Sequence, residues 1–383
     1  MFISKTHLPQ VLAPEHYTSR EQFDREMSLL FMPGWHCIGA LDDIPNDGDY
    51  FTFNLLRHPL IVWRMNGEVH TFLNVCAHRF STLCDAPCGH MNTLHCQYHG
   101  WEYDETGNTR KIPDSKSFRP MTQGLLGLRK YRTELLGQAI YVNLSDEAPS
   151  LAEAIGPGYE IGQKLFSHDR RLFLSLNYEV EANWKVKVEN SLESYHIALI
   201  HAKTFGRTPD AEICKHELEP GWTTFTTTEE ARTSIDRWLN QFVNRIVETD
   251  AEHEYKHYLY YPSVMFMRTG LITVAETTLP LAPNRTQVLV KLFVYTGPNP
   301  DRLKSRLLYR GIRRWGKTFF SKVAAEDAGI LPGIHKGLEA PEQPSEGLIS
   351  IREERLFHFQ EYIRKTTFAE INVSEQTPEF VPQ

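Results

Sequence analysis

The chain has 383 residues, of which 41% are hydrophobic and 23% charged, with a formal net charge of −7. That is the profile of a globular protein long enough for two domains, each burying a core, and without a long basic run it gives no support to nucleic-acid or anionic-membrane binding. Met1-Phe2-Ile3-Ser4-Lys5 lacks a signal-peptide core, no apolar run approaches the roughly 18 residues of a membrane span, and six cysteines do not make a disulfide scaffold, so the expected compartment is the cytoplasm.

Thr18-Ser19-Arg20-Glu21 reads as a capping box with Thr18 as N-cap. Phe23, Met27, Leu30 and Phe31 follow at helical spacing, so a helix is expected over 19–31, stopped by Pro33-Gly34. From Trp35 the pattern changes to short strands. Residues 60–65 and 69–73 flank Asn66-Gly67, a two-residue hairpin signal, Thr106-Gly107-Asn108 turns another pair, and 138–144 closes an all-β module over 35–145. Inside it lie Cys76-Ala77-His78 and Cys96-Gln97-Tyr98-His99, with seventeen residues between them. Four such ligands suit zinc or an iron–sulfur cluster. A zinc finger usually puts both cysteines in one knuckle and both histidines on a helix. Here each loop supplies one thiolate and one imidazole, so one iron can take two sulfurs and the other two nitrogens, the ligand set of a Rieske [2Fe–2S] centre. Neutral imidazoles reduce the cluster's negative charge and raise its potential from roughly −400 mV to between about −150 and +300 mV. Cys84 and Cys88, between the loops, read as two free thiols near a turn.

Residues 145–170 are richer in Ser, Pro and Gly and form a junction, after which 172–180 reads as a strand. Asn183 is a candidate N-cap for a helical run that carries Glu193, His196 and His201. Glu193 and His196 are three apart and would share a helix face, whereas His201 joins His196 in one cavity only if the helix bends or loosens. Two histidines and a carboxylate make the facial triad of non-haem Fe(II) oxygenases. Read alone, the run is a surface helix with two incidental histidines; downstream of a Rieske motif, the metal reading prevails. The aromatic stretch 258–267 reads as a buried strand, with a pocket of tyrosines able to cage a trimethylammonium group as the alternative. Trp222, Thr224 and Phe225 are weaker pocket candidates. No dinucleotide or P-loop fingerprint is present.

Arg79 and Gly100-Trp101 beside the cluster motifs, and Asn183-Trp184-Lys185 followed by E-N-x-x-E-x-Y-H-x-x-x-x-H, resemble the Rieske non-haem iron oxygenases, large (α) subunit, over nearly the whole chain. The resemblance implies an α+β chain: an N-terminal helical segment (1–34), an all-β Rieske domain (35–150) and a catalytic domain (151–383) with an antiparallel sheet flanked by helices. It implies a [2Fe–2S] cluster on Cys76, His78, Cys96 and His99, and Fe(II) on His196, His201 and Asp327, with Glu326 as the fallback. Glu193 would link His196 to the cluster ligand His99 of a neighbouring subunit, and Asn183 is placed with it in the catalytic set. The E-D pair precedes His335, where the family usually has Gln, and the closing helix over 351–365 is expected to be structural. Most ring-hydroxylating members have Asp at the bridge; Glu193 is more like the branch of the choline and carnitine monooxygenases. The expected reaction is therefore O2-dependent hydroxylation or N-demethylation of a small quaternary ammonium compound or methylated amine. An aromatic-ring-hydroxylating dioxygenase stands as the alternative, and a Rieske electron carrier or a zinc hydrolase as rivals of other classes. Electrons would come from NAD(P)H through a separate flavin or ferredoxin reductase. The assembly would be a head-to-tail homotrimer, with or without a small β subunit.

Overall fold

Ser19, not Thr18, starts the first regular helix. Its extended backbone lets Oγ accept from Gln22 N at 3.3 Å, and α1 (Arg20–Glu26) follows, running into a π turn at Met27–Phe31. The Thr18 hydroxyl is occupied with Pro14 O at 3.3 Å, at the end of a separate four-residue turn of helix, so the expected capping box does not form. The computed structural model describes residues 1–120, 126–228, 243–245, 247–249, 254–343 and 347–368.

Seven strands make the first sheet: β1 (Trp35–Ala40), β2 (Asp49–Leu55), β3 (His58–Met65), β4 (Glu68–Leu73), β5 (Cys88–His90), β6 (Lys130–Leu136) and β7 (Ala139–Asn143). They pair antiparallel in the order β1-β7-β6-β4-β3-β2-β5. Asn66 and Gly67 turn β3 into β4 with φ of 56° and 78°, the two positive values a tight hairpin of matching twist needs. Ile61, Trp63 and Phe72 gather Cys76, Cys96, Trp101 and Tyr103 into one buried cluster, so the two cysteine loops are anchored by their own apolar residues.

A second antiparallel sheet comprises β8 (Arg170–Val180), β9 (Cys214–Glu219), β10 (Trp222–Thr228), β11 (Glu254–Tyr260), β12 (Val264–Thr269), β13 (Ile272–Ala282) and β14 (Arg285–Tyr295), ordered β8-β14-β13-β12-β11-β10-β9. Alternation along β11 sorts its side chains. Tyr258 and Tyr260 pack with Trp35, Tyr141, Phe166 and Phe266 on one face. On the other face Leu259, Met265 and Val274 meet the apolar side of α2 (Trp184–Leu192) in the main core. The aromatic stretch is thus two buried strands, with Tyr258 and Tyr260 turned away from α2 and Tyr261, between the strands, packed on Phe359 and Tyr362. Short helices at Leu151–Ile155 and Gly158–Leu165 join the two sheets, and the helices that bear on the site are α3 (Ile197–Ile200), the 36-residue α4 (Leu303–Leu338) and the closing α5 (Glu354–Phe368).

The N-terminal helix is fastened to α2 by charge as well as by apolar contact. Glu26 is fully buried and accepts from Lys185 Nζ at 2.6 and 2.8 Å, from Trp184 Nε1 at 2.6 Å and from Gln22 Nε2 at 2.9 Å. Among the described residues no helix is long and apolar enough to cross a membrane.

Candidate metal centres

Each cysteine loop closes on itself before it offers a ligand. Cys76 N donates to Ser81 O at 2.8 Å and Phe80 N to Cys76 O at 3.1 Å; Cys96 N donates to Trp101 O at 2.8 Å and Gly100 N to Cys96 O at 2.9 Å. The second turn needs a left-handed residue, and Gly100, at φ 69°, supplies it without strain. Both cysteines are buried and their thiols are hydrogen-bond neighbours; burial first, and Cys96 in addition, push the Cys76 thiol up. The His78 and His99 rings lie 4.7 Å apart, and His78 stacks flat on Trp101 at 4.8 Å. His78 Nδ1 is buried with no hydrogen-bond partner among the described residues. An orphaned ring nitrogen near two facing thiols and a second imidazole suits a metal cluster and is costly otherwise. Tyr103 was not anticipated from the sequence: its hydroxyl lies 3.0 Å from Cys76 Sγ and accepts from Ala77 N at 3.1 Å. Cys84 is buried against the Tyr50 hydroxyl at 2.9 Å and Cys88 is exposed; both are free.

The second group forms where α2 ends. Asn183 Oδ1 accepts from Lys185 N at 3.0 Å to start that helix, but Leu192 is its last residue, and Glu193 is extended (φ −127°, ψ 165°). The expectation that Glu193 and His196 share a helix face is corrected: the chain loops out, and α3 begins only after His196. Within the loop a Glu193 oxygen bonds His196 Nδ1 while the other takes the backbone N–H groups of Tyr195 and His196. His201 sits at the far end of α3. The break is what brings the two rings together, with centroids 5.2 Å apart.

Asp327 on α4 completes the group. Its Oδ1 is 3.0 Å from His201 Nε2, 3.7 Å from His196 Nε2 and 3.1 Å from Asn190 Nδ2, and the three candidate ligand atoms all lie within 4.8 Å of one another. Glu326 is on the other side of the same ring, 2.9 Å from His201 Nδ1, and accepts from the Thr204 hydroxyl at 2.7 Å. Consecutive helical residues point roughly 100° apart, so one carboxylate meets Nε2 and its neighbour orients the ring. Burial alone would lower the His201 pKa; Asp327 and Glu326 outweigh it and raise it. Burial likewise opposes the charge on Asp327, but His201 and Lys187 hold its pKa down. Two imidazole nitrogens and a carboxylate oxygen converging from separate elements fit a divalent iron with open positions. Asn183 is not brought to this group. It caps α2 and donates to Tyr17 O and Pro283 O, both at 2.8 Å, while its N–H reaches His335 Nδ1 at 3.4 Å. Asn190 stands in the E-N-x-x-E motif without a role of its own in the sequence, and Thr204 has no distinctive spacing.

A Rieske-type module and a two-histidine, one-carboxylate group on an antiparallel sheet define an oxygenase of the iron–sulfur-linked, non-haem class. The sequence profile described as Ring hydroxylating alpha subunit (catalytic domain) matches residues 169–367, and the Rieske [2Fe-2S] domain profile matches 34–132. The chain belongs to the ring-hydroxylating alpha-subunit family and is a Rieske oxygenase component with a [2Fe–2S] and a non-haem iron domain. It is 27% identical over 301 residues to the 2-aminobenzenesulfonate 2,3-dioxygenase subunit alpha of Alcaligenes sp, covering 73% of this chain and 75% of that protein. Toluate 1,2-dioxygenase subunit alpha of Pseudomonas putida is 31% identical over 204 residues, 49% of this chain and 43% of its own length. In fold the chain is similar to the quaternary ammonium Rieske monooxygenase CntA in complex with L-carnitine, with TM-score 0.75, 18% identity and coverage of 94% and 96%.

Proposed function

We propose that Cys76, His78, Cys96 and His99 hold the [2Fe–2S] cluster and that His196, His201 and Asp327 hold the catalytic ferrous ion of an O2-dependent oxygenase. When bound, the two groups supply stored single electrons and O2 activation. The observation that carries this reading is the convergence of His196 Nε2, His201 Nε2 and Asp327 Oδ1 from α3 and α4. The surrounding residues do the orienting. Glu193 fixes His196 through Nδ1, Glu326 fixes His201 through Nδ1, and Asn190 holds one Asp327 oxygen, so both Nε2 atoms stay turned towards the carboxylate.

The surface supports docking between copies. Phe80 (81% exposed) and Tyr98 (59%) flank the cluster histidines, and Tyr195 (65%) and Leu199 (81%) flank Glu193 and His196. Exposed aromatic and aliphatic groups around both electron-carrying ends suit a head-to-tail contact in which His99 of one copy meets Glu193 of the next. The assembly we infer is a homotrimer served by a separate NAD(P)H-dependent reductase. The compared proteins are named for anionic substrates in two cases and for a quaternary ammonium compound in the third, so their names leave the substrate's charge open.

Iron counting with EPR tests the assignment. Asp327→Ala should lose one iron per chain while the Rieske signal is unchanged; full iron retention in that variant removes Asp327 from the site.

A further inference from the structure

Thr223 on β10, His257 on β11 and Arg355 on α5 meet beneath the C-terminal end of α2. Arg355, 1% exposed, donates from Nε to Thr223 Oγ1 at 3.1 Å, from Nη1 to Leu192 O at 3.4 Å, and from Nη2 to Thr223 O at 3.4 Å and His257 Nδ1 at 2.9 Å. No carboxylate pairs with it among the described residues. Its neighbour Glu354 turns away to Ile3 N, Ser4 N and His216. The other cation on this side, Lys187, is already matched by Glu276 at 2.6 Å. A guanidinium left unmatched in the interior is costly and calls for an anion.

The bond from Arg355 also fixes the histidine. A guanidinium only donates, so His257 Nδ1 is the acceptor and the ring proton sits on Nε2. His257 is 1% exposed, and its Nε2 has no partner among the described residues. The result is a buried N–H donor, polarised by a cation behind it, without an acceptor. It lies on the catalytic side. His257 alternates with Tyr258 and so shares the α2 face with Leu259, and its partner Arg355 reaches Leu192 O at the end of the helix whose Asn190 donates to Asp327 at 3.1 Å.

We infer that the oxygenase takes a small organic acid, whose carboxylate or sulfonate accepts from His257 Nε2–H with Arg355 supplying the balancing charge. This rests on the metal-site reading above and gives it a substrate class. A quaternary ammonium group would meet the unmatched guanidinium at this anchor.

The test is calorimetric titration of the iron-loaded full chain with matched pairs: benzoate and benzamide, benzenesulfonate and benzenesulfonamide, butyrate and butyramide, with benzyltrimethylammonium alongside. At least one acid should bind tenfold or more tighter than its amide, and the better of benzoate and benzenesulfonate names the head group. His257→Leu should erase that margin and leave the amide's Kd unchanged. His257→Gln, which offers Arg355 a carbonyl and the ligand an N–H, should keep it. Acids binding no tighter than their amides, the ammonium probe binding tightest, or an unchanged margin in His257→Leu each overturn the inference. Should His257→Leu fail to fold, the wild-type pairs and His257→Gln decide. Iron counted on the same samples separates the claims: full iron without acid preference sinks this inference alone, and acid preference without the mononuclear iron sinks the metal-site assignment alone.

Discussion

Removing the Glu26 carboxylate should loosen the catalytic half of the molecule more than any single apolar truncation on α1. Among the described residues Glu26 alone accepts from both the Lys185 ammonium and the Trp184 indole N–H, and both donors are fully buried. Glu26→Ala leaves an unmatched ammonium in the core, a loss of roughly 3–5 kcal/mol. It also strands the indole N–H, at roughly 1–3 kcal/mol. The two share one site and do not add fully, so the expected loss is about 4–6 kcal/mol. Replacing the ion pair by apolar groups of similar volume removes the unmatched charge, so Glu26→Leu with Lys185→Met should recover most of it. Urea unfolding followed by far-UV circular dichroism gives the comparison. Because α2 carries Asn190 and leads into the Glu193 loop, Glu26→Ala should also lose mononuclear iron before it loses the Rieske signal. A single variant within about 1 kcal/mol of wild type, or a double variant no more stable than the single, refutes the reasoning.

Three further outcomes follow from the same structure. Glu193→Gln should retain both metals yet uncouple or abolish turnover, measured as product formed per O2 consumed; normal coupling would remove Glu193 from the electron route. Tyr103→Phe should shift the cluster potential downward in a spectroelectrochemical titration, because the phenol can donate to a Cys76 thiolate and so favours the more negative, reduced state. His36 is buried, donates from Nε2 to Phe31 O at 2.7 Å, and burial lowers its pKa to about 4. Between that value and the ordinary one the unfolded chain binds a proton that the folded chain refuses, so this contribution is complete above about pH 6.5 and is lost as pH falls towards 4. At pH 5 wild type should have lost about 2 kcal/mol on this account, and His36→Gln should not; parallel pH profiles would refute it.

The Rieske-type loops were legible in the sequence because their pattern is local: each cysteine–histidine pair is two or three residues apart, and the turns that hold it are built from its own loop. The strands around Asn66-Gly67 were legible for the same reason. Other features escaped a local reading. Thr18 and Ser19 both fit a cap by composition, and the choice fell to Ser19 because Thr18 had already closed a preceding turn. Helical composition ran on past Leu192, but tertiary demand overrode it: Glu193 had to turn back on the His196 ring, and an unbroken helix would have held the two histidines on different faces. The E-D pair could not be resolved by composition either, since both residues serve His201, from opposite ring nitrogens.

The Arg355–His257 pair marks the limit of that local legibility. Its members are 98 positions apart, and no motif links a strand histidine to a closing-helix arginine. Glu193 gave the sequence reading its lean towards a cationic substrate, yet its carboxylate is spent on His196 and the backbone of its own loop. A carboxylate so engaged orients a metal-site imidazole and says little about what lies across the cavity. Charge selection falls instead to interior groups whose charge or hydrogen-bonding capacity is unmet among the described residues, and on the α2 face they include a guanidinium with no carboxylate and the imidazole N–H in front of it. The residue that places a branch by resemblance and the residues that choose a substrate by electrostatics are therefore different, and the second set points to an acid.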